Sequence, residues 1–191
     1  MLSALAKTVL LGGVLCSFPL SAWSANLLKN GNFNKPAAGI PAGTTASFTG
    51  CRDAGSAAAA GWLMWINSCD TGVNDVSTTL VPSTLSSGYM LHVVTDGNGN
   101  GAYQNTIPTT ASTLTSVWVY VNSGCVAVGT GFFGSTGSDD IFCVTGKWFQ
   151  VAKVPNGVSP TTEIAIYSAN WLPGASGADF YVENATVVAG P

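Results

Sequence analysis

The chain has 191 residues with nine acidic and six basic side chains, a formal net charge of −3, and only 8% charged residues. Hydrophobic residues make up 47% and aromatic residues 10%, enough apolar surface for a packed core, which argues against intrinsic disorder. The sequence has no basic stripe and no basic amphipathic segment, so nucleic-acid binding and membrane-surface binding are disfavoured.

The first 24 residues have the features of a secretion signal. Lys7 precedes the apolar run Thr8–Leu20, and mostly small residues follow up to Ala25. A membrane-spanning helix needs about 20 apolar residues, so this run is too short to span, whereas it has the length of a signal-peptide core. We predict cleavage at about 24/25, one domain over residues 25–191, and a secreted protein, extracellular or periplasmic.

The rest of the chain predicts an all-β fold. No segment has a convincing helical period, and runs of β-branched or alternating residues are interrupted by Gly, Asn and Pro. The stretch Lys35–Gly61 is predicted as a long loop. Short strands in this pattern favour a jelly-roll β-sandwich of two antiparallel sheets. The predicted strands are Leu27–Phe33, Gly61–Asn67, Tyr89–Thr95, Ala102–Thr106, Thr115–Asn122, Cys125–Phe132, Ile141–Val144, Trp148–Val154, Glu163–Ser168 and Asp179–Val188.

Four cysteines follow the signal segment, and an even number in an exported chain predicts two disulfides. Cys125 and Cys143 flank a turn-rich segment between two apolar runs, where a hairpin would bring them together. Cys51 and Cys69 flank a loop of small residues and have the same spacing of 18 positions. We favour the pairs Cys51–Cys69 and Cys125–Cys143 over the other two connectivities. Zinc is disfavoured because there is no C-x-x-C pair and His92 is the only histidine.

The segment Asn26–Asn34 (NLLKNGNFN) resembles the opening of jelly-roll carbohydrate-binding modules in the galactose-binding-like superfamily, of the family 4/9/22 type. Further landmarks of that family follow in the usual order: Gly61-Trp62, Gly88–Val94, Leu114–Val121, Trp148 and Phe180–Ala185. The resemblance covers nearly all of the chain after the signal. It implies a jelly-roll sandwich that binds carbohydrate without catalysis, with Trp62 and Trp148 at internal positions.

The resemblance also implies a structural calcium near the two chain ends. The matching positions are Asn32 and Asn34 in the opening motif and Glu183 in the closing one, so this chain has asparagines where relatives use acids. The alternative is that both asparagines bond nearby backbone and that Glu183 is an ordinary surface residue. A second calcium-like string, Asp96–Gly101, has one carboxylate and is predicted to be a turn.

Carbohydrate sites pair aromatic rings with amides, hydroxyls and carboxylates, and strand alternation sorts the candidates. Where the valines of Val117–Val121 form one face, Trp118 and Tyr120 share the other. By the same rule His92 lies opposite Leu91 and Val93, and Tyr167 lies with Glu163 opposite two isoleucines. If these faces line one concave sheet, they form a single groove. The candidate ligand-binding residues are His92, Trp118, Tyr120, Tyr167, Trp171 and Trp65; for Trp118 and Tyr120, packing inside the protein is the alternative.

Catalysis has little support in the sequence. A Ser-His-Asp arrangement would need His92, and no G-x-S-x-G motif surrounds any serine. Asp139 and Asp140 are adjacent in a turn, which is more typical of solvated loop acids. We predict a non-catalytic domain that binds a poly- or oligosaccharide, with no nucleic-acid partner and no membrane insertion. The alternatives are an extracellular structural or adhesive protein that uses the sandwich for protein contacts, including self-association, and a glycan-active hydrolase or lyase.

Overall fold

The structure is a computed structural model and describes residues 25–50, 54–67, 74–97, 99–108, 113–131, 139–153, 161–169 and 177–189. These residues contain twelve β-strands and no α-helix, so this part of the chain has no helix that could cross a membrane. The strands are β1 (Thr45–Gly50), β2 (Ala54–Ser56), β3 (Leu63–Trp65), β4 (Asn74–Pro82), β5 (Tyr89–Thr95), β6 (Gly101–Pro108), β7 (Thr113–Gly124), β8 (Val126–Gly131), β9 (Asp140–Phe142), β10 (Trp148–Lys153), β11 (Thr161–Ser168) and β12 (Ala178–Ala189).

The strands form two six-stranded sheets within the described residues. Sheet I has the order β1-β4-β5-β12-β7-β10, and sheet II has the order β2-β3-β6-β11-β8-β9. Every strand pairing is antiparallel. Consecutive strands often belong to different sheets, as do β5 and β6, and β11 and β12. The predicted jelly-roll β-sandwich is confirmed.

The core lies between the two sheets and follows the alternation of side chains along each strand. Val117, Val119 and Val121 of β7 are fully buried, as are Ile164 and Ile166 of β11 from the other sheet. The predicted inward faces of these two strands are therefore confirmed. Each strand presents its remaining residues on the outer face of its sheet, and these outer faces carry the candidate sites.

The predicted strand Leu27–Phe33 is wrong, because this segment is a series of turns. Asn30 and Phe33 have φ angles of 54° and 57°, in the left-handed region that a strand does not use. The segment nevertheless lies against β12, where the Leu27 amide donates to the Val187 carbonyl at 2.8 Å. Phe33 is buried against Trp62, with ring centroids 5.0 Å apart, so the motif supplies core side chains without joining a sheet.

The predicted loop Lys35–Gly61 contains β1 and β2, and the sequence prediction missed β4 altogether. In β4 the inward positions alternate as Val76, Thr78 and Leu80, all of them buried. Thr78 looks polar in the sequence, but inside the protein its hydroxyl accepts a hydrogen bond from the Ala58 amide at 2.9 Å. A buried threonine thus hid the period-two pattern of this strand.

The Cys125–Cys143 disulfide is confirmed, with the two Cα atoms 4.2 Å apart. It closes the β8–β9 pair next to the paired residues Val126 and Phe142. Cys51 and Cys69 lie outside the described residues, as do the signal segment and its cleavage site, so these stay predictions. Asp96 follows β5 of sheet I and Gly101 begins β6 of sheet II, while Asn98 lies outside the described residues, so the turn predicted for this string stays a prediction.

Candidate functional site

The predicted aromatic groove is not one surface. His92 on β5 and both Trp118 and Tyr120 on β7 lie on the outer face of sheet I, whereas Tyr167 on β11 lies on the outer face of sheet II. Three of the four side chains therefore lie on one sheet and the fourth on the other, so the prediction that they line a single groove is wrong. Trp65, on β3, shares the outer face of sheet II with Tyr167, and Trp171 lies outside the described residues.

On sheet I a row of half-buried rings crosses four adjacent strands. Strand register aligns His92 with Tyr181, Tyr181 with Tyr120, and Tyr120 with Trp148. The successive ring centroids are 4.4, 5.9 and 5.5 Å apart. We call these four residues the aromatic row. Trp148, expected at an internal position, lies on the outer face because it is paired with Tyr120.

The rings of the aromatic row contact one another, and His92 also contacts Asp179 beside the row. The rings of His92 and Tyr181 are stacked with an interplanar angle of 14°, so each covers a face of the other. His92 Nε2 lies 2.8 Å from Asp179 Oδ1, and Asn122 Nδ2 donates to Asp179 Oδ2 at 2.8 Å. A ring face that is stacked on a neighbouring ring is not available to stack on the flat face of a sugar ring.

On sheet II, two aromatic side chains stand on either side of a glycine. Trp65 on β3 is paired with Gly101 on β6, which is paired with Tyr167 on β11. The two outer strands are about 9–10 Å apart, twice the spacing of neighbouring strands. A Cβ atom on Gly101 would lie 2.1 Å from the Ile166 carbonyl oxygen, so only glycine fits there. Trp65 and Tyr167 therefore flank Gly101, which is itself buried.

A pocket of about 260 Å³ lies on the same face, lined by Trp65, Tyr103, Asn105 and Glu163. We call these four residues together with Tyr167 the groove. Sequence analysis named Trp65 and Tyr167 as candidates but missed Tyr103 and Asn105. Alternation along β6 could have placed both on the outer face, because Ala102 and Gln104 between them are buried. An alanine and a glutamine, however, do not indicate a buried face from the sequence.

Two carboxylates give the groove its electrostatic character. Burial, and secondarily the charge of Asp139, raise the pKa of Glu163 from its usual 4.5 to about 7. The Tyr167 hydroxyl donates a hydrogen bond to Asp139 Oδ2, and burial first, then Asp139, raise the pKa of Tyr167. Gly129 leaves room for this pair, since a Cβ atom there would lie 3.1 Å from Asp139 Oδ1. Asp139 therefore acts electrostatically on Glu163 at one side of the groove.

The predicted calcium positions are only partly arranged as ligands. Glu183 is fully buried; the Ser83 hydroxyl donates to its Oε1 at 2.5 Å, and its Oε2 has no hydrogen-bond partner. Asn34 Oδ1 accepts a bond from the Tyr89 amide at 3.2 Å, and Asn32 Oδ1 accepts one from the Asn34 amide at 3.4 Å. Among the described residues, no cluster of three His, Cys, Asp or Glu could hold a metal. The unpartnered Glu183 oxygen fits one ligand of a calcium ion.

No protein-family model and no curated protein matches this chain. Among solved structures it is similar to TmCBM61 in complex with β-1,4-galactotriose, with a TM-score of 0.47 and 13% identity over 87% of this chain and 100% of that one. It is also similar to a family 4 carbohydrate-binding module, with a TM-score of 0.40 and 13% identity over 85% of this chain and 99% of that one.

A third similar structure is the enzymatically active domain of the bacteriophage CBA120 tailspike protein 4, with a TM-score of 0.38 and 12% identity over 85% of this chain and 21% of that one. Two of the three are carbohydrate-binding modules, the class that the sequence motifs resemble. At these identities, and with TM-scores below 0.5, function has to be inferred from the geometry of this chain alone.

Proposed function

We propose that the chain is a carbohydrate-binding domain and that the groove on sheet II binds the glycan without catalysing a reaction. The observation that carries this proposal is the pairing of Trp65, Gly101 and Tyr167 across three strands. This pairing places Trp65 and Tyr167 on one outer face beside the pocket, and aromatic faces suit the apolar C–H face of a sugar ring. Carbohydrate thereby becomes the ligand class, and Trp65 and Tyr167 its principal contacts.

Polar groups at the same place would supply the hydrogen bonds to sugar hydroxyls. Asn105 offers an amide with both donor and acceptor atoms, and Glu163 offers carboxyl oxygens beside the Tyr103 ring. Apolar surface with a few polar groups is the usual composition of a small-molecule site. The groove combines a pocket, aromatic side chains and polar groups, and is therefore the proposed site.

The test compares a ring removed from the groove with a ring removed from the aromatic row. Trp65→Ala should weaken glycan binding by about tenfold or more, about 1.4 kcal/mol, because the contact with the sugar face is lost. Tyr120→Ala, on the other sheet, should bind as the wild type does. Binding would be measured by retention on insoluble polysaccharides and by isothermal titration with soluble oligosaccharides, with circular dichroism to establish that both variants are folded.

If Tyr120→Ala loses binding and Trp65→Ala retains it, the site lies on sheet I and the groove is excluded. If the folded wild-type protein binds no glycan of a broad panel, the carbohydrate proposal fails as a whole. Self-assembly of the purified protein under the same conditions would then favour the structural or adhesive alternative.

A glycan hydrolase is the second candidate, and one observation favours it. Glu163, with its pKa raised to about 7, lies under the influence of Asp139, and glycosidases use two carboxyl groups of which one has a raised pKa. Against catalysis, Asp139 is engaged by the Tyr167 hydroxyl. Incubation with the glycans that the protein binds, followed by a reducing-sugar assay, decides between the two. Sugar release that disappears in Glu163→Gln would establish the enzyme.

A further inference from the structure

We infer that the ligand of the groove is a cationic amino sugar, a glycan whose repeating units carry free ammonium groups. This inference rests on the proposed function, since it names the class of glycan that the same groove binds. Its basis is the juxtaposition of two carboxylates, Glu163 and Asp139, with the rings of Trp65, Tyr103 and Tyr167 on the outer face of sheet II.

The two carboxylates come from distant parts of the chain and lie at the same side of the groove. Glu163 lines the pocket from β11, and Asp139 lies directly before β9, where it accepts the hydrogen bond of Tyr167. Burial first, and then the negative charge of Asp139, raise the pKa of Glu163. A positive charge bound beside both acids relieves this repulsion and is attracted by each of them. A neutral sugar hydroxyl does neither, and an anionic glycan would be repelled.

The aromatic side chains of the groove favour the same ligand. A cation within about 6 Å of a tryptophan or tyrosine ring is attracted by the negative face of the ring. Trp65 and Tyr103 line the pocket together with Glu163. An ammonium group also brings three hydrogen-bond donors, and an ionised carboxylate can only accept. The groove thus presents aromatic rings for the apolar face of the sugar ring and a carboxylate for its ammonium group.

The charge of the whole protein supports this ligand as well. Nine acidic against six basic residues give a net charge of −3, so a polycationic glycan is attracted from a distance. This long-range attraction is screened by salt, whereas contacts within the partly buried groove are screened much less. The salt dependence of binding therefore separates the general charge effect from recognition in the groove.

The experiment uses the folded protein without its signal segment and three hexasaccharide probes of equal length. These are a fully deacetylated glucosamine oligomer, its fully N-acetylated counterpart and a neutral glucose oligomer. Isothermal titration would be run in 50 mM and 500 mM NaCl at pH 6.5, close to the pKa of about 7 of Glu163, because a bound ammonium group favours the ionised carboxylate. We expect the glucosamine oligomer to bind at least tenfold more tightly than the other two, with most of this preference retained at high salt.

Two variants remove Glu163, which lines the groove, and Asp139, which is bonded to Tyr167, and a third removes a neighbouring acid. Glu163→Gln and Asp139→Asn should each lose most of the preference for the glucosamine oligomer. Asp140→Asn removes the same charge one residue further on, at an exposed position of β9, and should keep the preference. The preference should also require the sugar ring, so a hexalysine peptide should bind more weakly than the glucosamine oligomer.

The inference is overturned if the wild type binds the acetylated or neutral oligomer as tightly as the glucosamine oligomer. In that case loss of binding in Trp65→Ala would leave the proposed function intact, so the two failures are distinguishable. The inference is also overturned if Asp140→Asn loses the preference as much as Glu163→Gln does, or if hexalysine binds equally well, because the attraction would then be general. Absence of binding to all three probes and to every other glycan overturns both proposals.

Discussion

At the scale of single residues, Glu163 makes the stability of the protein depend on pH. Its pKa in the folded protein is raised to about 7, against about 4.5 for an exposed glutamate. The stability associated with the protonated form is fully present below about pH 4.5 and is lost as the pH rises through 7. Glu163→Gln is neutral at every pH and escapes this loss. Relative to the variant, the wild type should lose about 1–2 kcal/mol between pH 4.5 and pH 8, after allowance for solvent screening.

Urea unfolding followed by tryptophan fluorescence at the two pH values measures this difference. Asp140→Asn serves as the control, because it removes a nearby charge from an exposed position. A constant difference in unfolding free energy between the wild type and Glu163→Gln across this pH range would contradict the argument. Such a result would mean that Glu163 is solvated in the folded protein.

Alternation along single strands predicted the faces of individual residues well. It placed Val117 and Ile164 in the core and Tyr167 with Glu163 on the opposite face, as the structure has them. It could not predict which strands share a sheet and therefore an outer face, because that depends on strand pairing between distant parts of the chain. His92 and Tyr167 were therefore combined in one groove, although their strands belong to different sheets.

At the scale of elements, the opening segment depends on a close approach of two backbones. The Ala185 amide donates to the Gly31 carbonyl at 2.8 Å, and a Cβ atom on Gly31 would lie 2.1 Å from the Ala185 carbonyl oxygen. Gly31→Ala should therefore push the segment away from β12 and cost about 2–3 kcal/mol of unfolding free energy in urea. Gly39→Ala is the control, since its Cβ atom would meet nothing within 4 Å.

At Gly39 only the left-handed backbone conformation opposes alanine, at a cost of about 1 kcal/mol. Equal losses in Gly31→Ala and Gly39→Ala would mean that the opening segment can move aside freely. That result would also mean that the close approach of the two backbones does not require a glycine at this position of the NLLKNGNFN motif.

The β8–β9 pair is a second element that can be tested directly. Its disulfide joins Cys125 and Cys143 across 18 positions, and in the chain-entropy model a loop of this length contributes about 3 kcal/mol. Replacing both cysteines by serine should lower the unfolding free energy by about that amount while Cys51 and Cys69 remain. Peptide mapping without reduction gives the connectivity independently. Recovery of a peptide that links Cys125 to Cys51 or Cys69 would contradict the pairing.

At the scale of the whole molecule, the fold class was predictable from the sequence, whereas the extent of the sheets was not. Period-two patterns revealed most strands, and Tyr89–Thr95 was predicted with the bounds that it has. β4 was missed because the buried Thr78 interrupts its apolar face, and the opening motif was mistaken for a strand because its apolar residues sit in turns. Both errors arise where tertiary contacts outweigh the local pattern.

The opening and closing motifs meet near Glu183, and this is where the calcium prediction can be decided. Glu183 is the buried carboxylate of the closing motif, and its Oε2 has no hydrogen-bond partner, so a bound cation would satisfy an oxygen that is otherwise isolated. A ligand that binds only the folded protein stabilises it by mass action. We therefore expect 5 mM CaCl₂ to raise the midpoint of thermal unfolding by a few degrees over EDTA-treated protein, and Glu183→Gln to abolish this shift. Magnesium at the same concentration is the control, because its demand for octahedral geometry is poorly met by such a site. Equal midpoints in calcium and EDTA would show that the Ser83 hydroxyl is the only partner of this carboxylate. The opening and closing motifs would then be held together by Asn26. Its side-chain Nδ2 donates to the Ala185 carbonyl and its Oδ1 accepts from the Val187 amide, each at 2.9 Å.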